Sequence, residues 1–216
     1  MRKVVIAVFV SLDGVMQAPG GPQEDSSGDF RFGGWTVPYW DDSVAESMGD
    51  LFTEPFSLLL GRRTYDIFAG HWPRIETDPS KPDYDAGNAH IARTFNEATK
   101  YVATHSPQSL AWQNSQWLGA DVAATVRELR DGDGPRLLVQ GSSELIHTLL
   151  EHGLIDELRL LVYPVVLGKG KKLFADGALP ASLKLTSSGT STQGVLKLRY
   201  EPGGEVRTGS FAMPDG

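Results

Sequence analysis

Cysteine is missing from all 216 residues, which excludes disulfides, thiolate metal ligation and a cysteine nucleophile. Positive charge is scarce: 20 Lys and Arg stand against 27 Asp and Glu, a formal net charge of -7. That balance excludes broad electrostatic capture of nucleic acid or an anionic membrane. No apolar run approaches the length that spans a bilayer. The run Val4–Val10 is short, rich in β-branched residues, and leads into Ser11-Leu12-Asp13-Gly14 without a small-residue cleavage pattern. It reads as a first strand rather than an export signal, so the cytoplasm is the expected compartment. The five histidines (His71, His90, His105, His147 and His152) lack metal-ligand spacing, and no metal site is expected. GxSxG, GxGxxG and the Walker A pattern are also absent, as are repeats and low-complexity tracts.

What remains is 40% hydrophobic, enough for a globular chain with a real core. Strand-like runs fall at Val4–Val10, Phe56–Leu60, Tyr101–Thr104, Leu137–Gln140 and Leu158–Val162. Helical spacing separates them, as in Val44, Met48, Leu51 and Phe52, or Leu145, Ile146, Leu149 and Leu150. Ser43 and Glu46 have the spacing of a capping box, and Asp121 can cap the helix that follows it. Alternating strands and helices predict an α/β fold with a mostly parallel sheet covered on both faces. Leu183–Thr186, Val195–Tyr200 and Val206–Phe211 read as antiparallel strands closing one edge. No linker divides the chain, so residues 1–216 are expected to form one domain.

Four stretches carry chemistry. In Leu58-Leu59-Leu60-Gly61-Arg62-Arg63-Thr64, two arginines leave a buried strand, and Thr64 can cap a helix. An arginine fork beside a helix N-terminus suits a phosphate, such as the 2′-phosphate of NADPH. The alternative is a surface pair bridging to Asp66 or Glu54. In Gln140-Gly141-Ser142-Ser143-Glu144-Leu145, a strand runs through glycine into a helix whose first amides are free. That suits a pyrophosphate; the alternative is an ordinary serine cap. Ser11 to Gln17 is a turn in which Met16 could face a flat ring. Phe30, Phe32, Trp35, Tyr39 and Trp40 make either a pocket wall or a satellite hydrophobic cluster under their loop. Lys169, Lys171 and Lys172 could meet a phosphate or form a solvated turn.

In order, SLDG, GRRTYD, THS, QGSSEL and DELRLLVYPVVLGKGKKLF resemble the dihydrofolate-reductase-like superfamily, from about Lys3 to Tyr200. They are most similar to the reductase domain at the C-terminus of bifunctional riboflavin-biosynthesis deaminase–reductases and its stand-alone relatives. The resemblance implies a three-layer α/β/α fold with a mixed, mostly parallel sheet and antiparallel C-terminal strands. It implies an NADPH-dependent oxidoreductase acting on a small heterocyclic or sugar-phosphate substrate. The named activity it suggests is 5-amino-6-(5-phosphoribosylamino)uracil reductase; dihydrofolate reduction and a non-catalytic nucleotide-binding module are the alternatives. Gly61, Arg62, Arg63 and Thr64 would hold the 2′-phosphate, with Thr104 and Ser106 near the ribose or phosphate. Gly141, Ser142, Ser143, Glu144 and Leu145 would bracket the pyrophosphate. Phe9, Gly14 and Met16 would flank the nicotinamide beside Asp13, and Trp35 and Trp40 would face the substrate.

Two features depart from the family. Gly141-Ser142 stands where dihydrofolate reductases carry two glycines. Their single first-helix carboxylate falls near Ala45, with Asp41, Asp42 and Glu46 close by. Asp13 and Asp41 are the candidate proton donors, with a bound water as the alternative. A homodimer is expected, with the aromatic loop as a rival dimer surface.

Overall fold

The computed structural model describes residues 1–174 and 180–211. Eight strands form one sheet: β1 (Val4–Ser11), β2 (Phe56–Gly61), β3 (Lys100–Ala103), β4 (Ser115–Trp117), β5 (Arg136–Val139), β6 (Glu157–Tyr163), β7 (Ser182–Thr190) and β8 (Leu196–Gly204). Among the described residues, five α-helices accompany them: α1 (Asp42–Gly49), α2 (Arg62–His71), α3 (Ala86–Glu97), α4 (Val122–Asp131) and α5 (Ser143–Glu151). The strand order is β4-β3-β2-β5-β1-β6-β8-β7. β1 to β6 pair in parallel, and β8 pairs antiparallel with both β6 and β7.

The layers follow from the period-2 alternation of β1, which is buried on both faces. Val4, Ile6, Val8 and Val10 point to one side, where Val126 of α4 and Ile146 and Leu149 of α5 cover them. Val5 and Ala7 point to the other, into a cluster with Leu58, Leu60, Tyr65 and Phe95 under α2 and α3. On that second side, nearer β6, a third cluster gathers Val15, Phe30, Trp35, Val44, Leu161 and Tyr163 beneath α1. The result is the three-layer α/β/α arrangement. Among the described residues, no helix is long and apolar enough to cross a membrane.

Several local expectations are corrected. Val206–Phe211 lies outside any strand; the closing edge is the β7–β8 hairpin alone. β4 was missed because Ser-Gln-Trp is largely exposed and offers no apolar alternation. The capping box at Ser43 and Glu46 is replaced by Asp41, whose carboxylate accepts from the Val44 amide at 2.9 Å. α2 begins at Arg62, so Thr64 is its third residue rather than its cap. Asp121 does cap α4, accepting from Ala124.

Candidate active site

β2 and β5 are adjacent and parallel, so the loops leaving their C-terminal ends meet at one edge of the sheet. There the Gly61 amide donates to Ser142 Oγ at 2.7 Å, and that hydroxyl donates to Thr64 Oγ1 at 2.7 Å. A Cβ on Gly61 would lie 2.8 Å from the Ser142 side chain, so the approach needs glycine. Ser142 takes the left-handed conformation, φ +67°, to place its hydroxyl there. The hydroxyl therefore does not cap its own helix. α1, α3 and α4 are each capped by an aspartate: Asp41, Asp85 and Asp121. α2 and α5 have no side-chain cap. Two helix N-termini without a side-chain cap thus lie side by side, an arrangement that favours an anion.

The two arginines diverge. Arg62 Nε donates to both Asp66 carboxylate oxygens at 2.9 Å, the surface pairing that was the alternative reading. Its Nη1 also reaches Ser109 Oγ at 2.5 Å and lies 3.5 Å from Thr104 Oγ1 and 3.4 Å from the Ser106 carbonyl. Arg62, Thr104 and Ser106 are therefore brought together, although only Arg62 and its helix were obvious anion ligands by charge. Arg63 donates to Asp25 Oδ1 at 3.1 Å. Lys171 Nζ donates to the other Asp25 oxygen at 2.7 Å. Burial pushes the Asp25 carboxyl up, but the bonds from Lys171 and Ser27 outweigh it and leave the pKa at about 2. Asp25, Gln17 and Ser109 were missed in the sequence reading. Asp25 meets Arg63 and Lys171 across 38 and 146 residues, and no local pattern marks such contacts.

The loop after β1 is tied to the segment after β6. Asp13 accepts from Ser11 Oγ at 2.6 Å and from the amides of Leu167 at 3.1 Å and Gly168 at 2.7 Å. Burial raises the Asp13 pKa, yet these bonds dominate and the net direction is down. Asp41 accepts from Thr192 Oγ1 at 2.7 Å as well as from Ser43 and Val44, and its carboxyl is held well below the usual range. The bond from Thr192 does most of this, against a smaller opposing effect of burial. Both carboxylates are acceptors in this structure.

The remaining candidates separate. Gly14, at φ +81°, makes the turn after β1. Met16 is buried in the core with Leu173 rather than presented to an opening. Trp35 is buried too: its indole donates to the Gln17 carbonyl at 2.8 Å and its ring meets Tyr163 edge-on. The satellite-cluster alternative thus describes Trp35. Trp40 is 46% exposed and packs edge-on against Phe9, with centroids 6.2 Å apart. Leu145 and Ser143 are buried and Glu144 is exposed. The Tyr163 hydroxyl is buried, and its pKa is raised, first by burial and then by the Asp41 charge. Among the described residues it has no hydrogen-bond partner, and no group of three or more His, Asp or Glu could hold a metal ion.

The mostly parallel sheet with its antiparallel C-terminal strands, covered by helices on both faces, is the dihydrofolate-reductase-like fold. An Enterococcus faecalis dihydrofolate reductase solved with NADP(H) superposes with a TM-score of 0.55 at 12% identity, over 93% of this chain and 96% of that one. The chain belongs to the RibD C-terminal domain family, whose model matches residues 2–197. A Thermotoga maritima diaminohydroxyphosphoribosylaminopyrimidine deaminase/5-amino-6-(5-phosphoribosylamino)uracil reductase gives a TM-score of 0.56 at 16% identity, over 93% of this chain and 56% of that one. By sequence, the chain is 24% identical over 199 residues to the uncharacterized Bacillus subtilis (strain 168) protein YyaP, covering 92% of this chain and 94% of YyaP.

Proposed function

We propose that this chain is a reductase that uses NADPH to reduce a small heterocyclic or sugar-phosphate substrate. The observation that carries the reading is the pair of uncapped helix N-termini, α2 and α5, held together by Ser142 in a chain whose other α-helices are capped by aspartate. A pyrophosphate fits free amides of that kind, and the guanidinium groups of Arg62 and Arg63 fit a phosphate monoester. The residues present therefore suit the cofactor. When bound, NADPH supplies a hydride to a C=N or C=O carbon.

On this reading the backbone of Gly61 to Thr64 and of Gly141 to Leu145 holds the phosphates. Thr104 and Ser106, gathered around Arg62, border the adenosine ribose. Phe9, Gly14 and Trp40 line the reacting end, while Met16 and Trp35 support it from the core. Asp13 pins the turn to Leu167 and Gly168 and stays ionised, and Asp41 acts as a cap. The proton then comes through bound water. Family membership favours a riboflavin-pathway type of substrate, with 5-amino-6-(5-phosphoribosylamino)uracil as the first to test. A single-domain, cytoplasmic homodimer completes the proposal.

One observation favours a second reading. Neither candidate carboxylate is poised to donate a proton, as expected of a nucleotide-binding module without catalysis. Titration with NADPH and with NADH, followed by tryptophan fluorescence, tests both. The reductase reading expects micromolar NADPH, much weaker NADH, and NADPH oxidation with a pyrimidine substrate. Binding without oxidation across a substrate screen leaves the module, and no binding of either nucleotide defeats both.

A further inference from the structure

On the α1 side of the sheet, a cavity of about 280 Å³ opens over β1, β6, β8 and β7. Its floor follows from strand register. Arg159 of β6 lies directly opposite Arg199 of β8, and two residues along the same face Leu161 lies opposite Lys197. On the next strand Ser187 lies opposite Arg199. Like charges facing each other across an antiparallel pair are destabilising. This chain nevertheless sets two arginines opposite one another and a lysine beside them, despite its negative net charge.

Local counter-charge is incomplete. Arg159 pairs with Glu157. Arg199 stands 3.7 Å from Asp50, with both side chains about half exposed. The Lys197 ammonium has the Ser43 carbonyl at 3.4 Å. Neighbouring Arg136 lies in the same field: burial is the main cause that lowers its pKa, and the Arg159 and Arg199 charges lower it further against Glu54 and Glu157. The rest of the wall is apolar, supplied by Phe9, Met48, Leu51 and Leu161. Convergent cations over an apolar wall describe a site for an amphipathic anion.

We propose that this cavity binds a small organic anion, a carboxylate or phosphate ester with an apolar body. Its oxyanion lies among Arg159, Lys197 and Arg199, and its body lies against Met48 and Leu51. Four strand steps separate β2 from β8, about 19 Å. Three steps separate β5 from β8, about 14 Å. The cations on β6 and β8 are therefore laterally separate from Gly61 and Ser142, with Phe9 of β1 bordering both regions, and the proposal does not rest on the reductase reading.

Calorimetric titration of the full chain with phenyl phosphate, benzoate and inorganic phosphate tests it, with no nucleotide present. The expected result is one-to-one binding of phenyl phosphate or benzoate, with inorganic phosphate weaker for want of a ring. Which aromatic probe binds tighter distinguishes a phosphate ligand from a carboxylate. Lys197→Gln and Arg199→Gln should each weaken binding about ten- to a hundredfold, while Arg63→Gln leaves it unchanged. Without ligand, Arg199→Gln should leave the melting temperature unchanged or raise it, because the opposition to Arg159 is removed. The proposal is overturned by no saturable binding, by binding indifferent to the two cavity substitutions, or by sensitivity to Arg63→Gln. A lower melting temperature for Arg199→Gln would also overturn it, marking the cations as a structural ion cluster.

Discussion

Ser142 and Gly61 lie on different loops, yet the serine hydroxyl accepts the glycine amide at 2.7 Å, and the hydroxyl proton goes to Thr64. That single side chain joins the starts of α2 and α5 and leaves the first amides of both helices without a side-chain cap. Its removal should be felt at both places. Ser142→Ala loses both bonds and keeps the strained left-handed backbone, so it should cost about 1–2 kcal/mol in urea unfolding. Gly61→Ala forces a Cβ to 2.8 Å from Ser142 and should cost roughly 1–3 kcal/mol. Equal stability for both variants would show the contact to be incidental.

Arg63→Ala and Arg62→Ala bear on cofactor choice. Either should weaken NADPH by about ten- to a hundredfold while changing NADH little, since only NADPH carries the monoester. Arg62 already serves Asp66 and Ser109, so Arg62→Ala should also lower the melting temperature slightly. Parallel losses for NADPH and NADH in a fluorescence titration would remove the 2′-phosphate assignment.

Asp25 ties the α2 start to Lys171, and its folded pKa of about 2 lies below the ordinary 3.8. A depressed carboxylate stabilises the fold above the unfolded pKa and loses that contribution as pH falls through the folded one. Here the window runs from about pH 4 down to about pH 2. Asp25→Asn should therefore cost about 2 kcal/mol at neutral pH and flatten the acid limb of stability over that window. By freeing Arg63, it should also tighten NADPH relative to NADH. Denaturant titrations across pH and a nucleotide titration would check the two effects independently.

Tyr163 tests the opposite case, a buried polar atom without a partner among the described residues. Tyr163→Phe keeps the edge-on contacts with Phe9, Trp35 and Tyr39 and removes only the hydroxyl. It should be neutral or stabilising by up to about 1 kcal/mol in chemical denaturation. A clear destabilisation would mean that the hydroxyl has a partner such as bound water.

The sequence by itself determined most of the order of elements and the two glycine loops proposed to hold the cofactor. Val4–Val10 and Leu137–Gln140 announced buried strands because a strand covered on both faces must be continuously apolar. GRRT and QGSSEL announced themselves because glycine at a strand exit is a local, conformational requirement. Local patterns did not reveal β4, whose three exposed residues carry no alternation. They also misplaced a strand at Val206–Phe211 and a capping box at Ser43.

Only the tertiary structure decided which polar and charged groups meet. Asp25 with Arg63 and Lys171, Ser142 with Gly61, and Arg159 opposite Arg199 all depend on strand order and register. Periods of 2 and 3.6 say which face a residue takes, but not which distant residue shares it. That was settled by β5 entering between β1 and β2, and by the hairpin of β7 and β8 folding back antiparallel on β6.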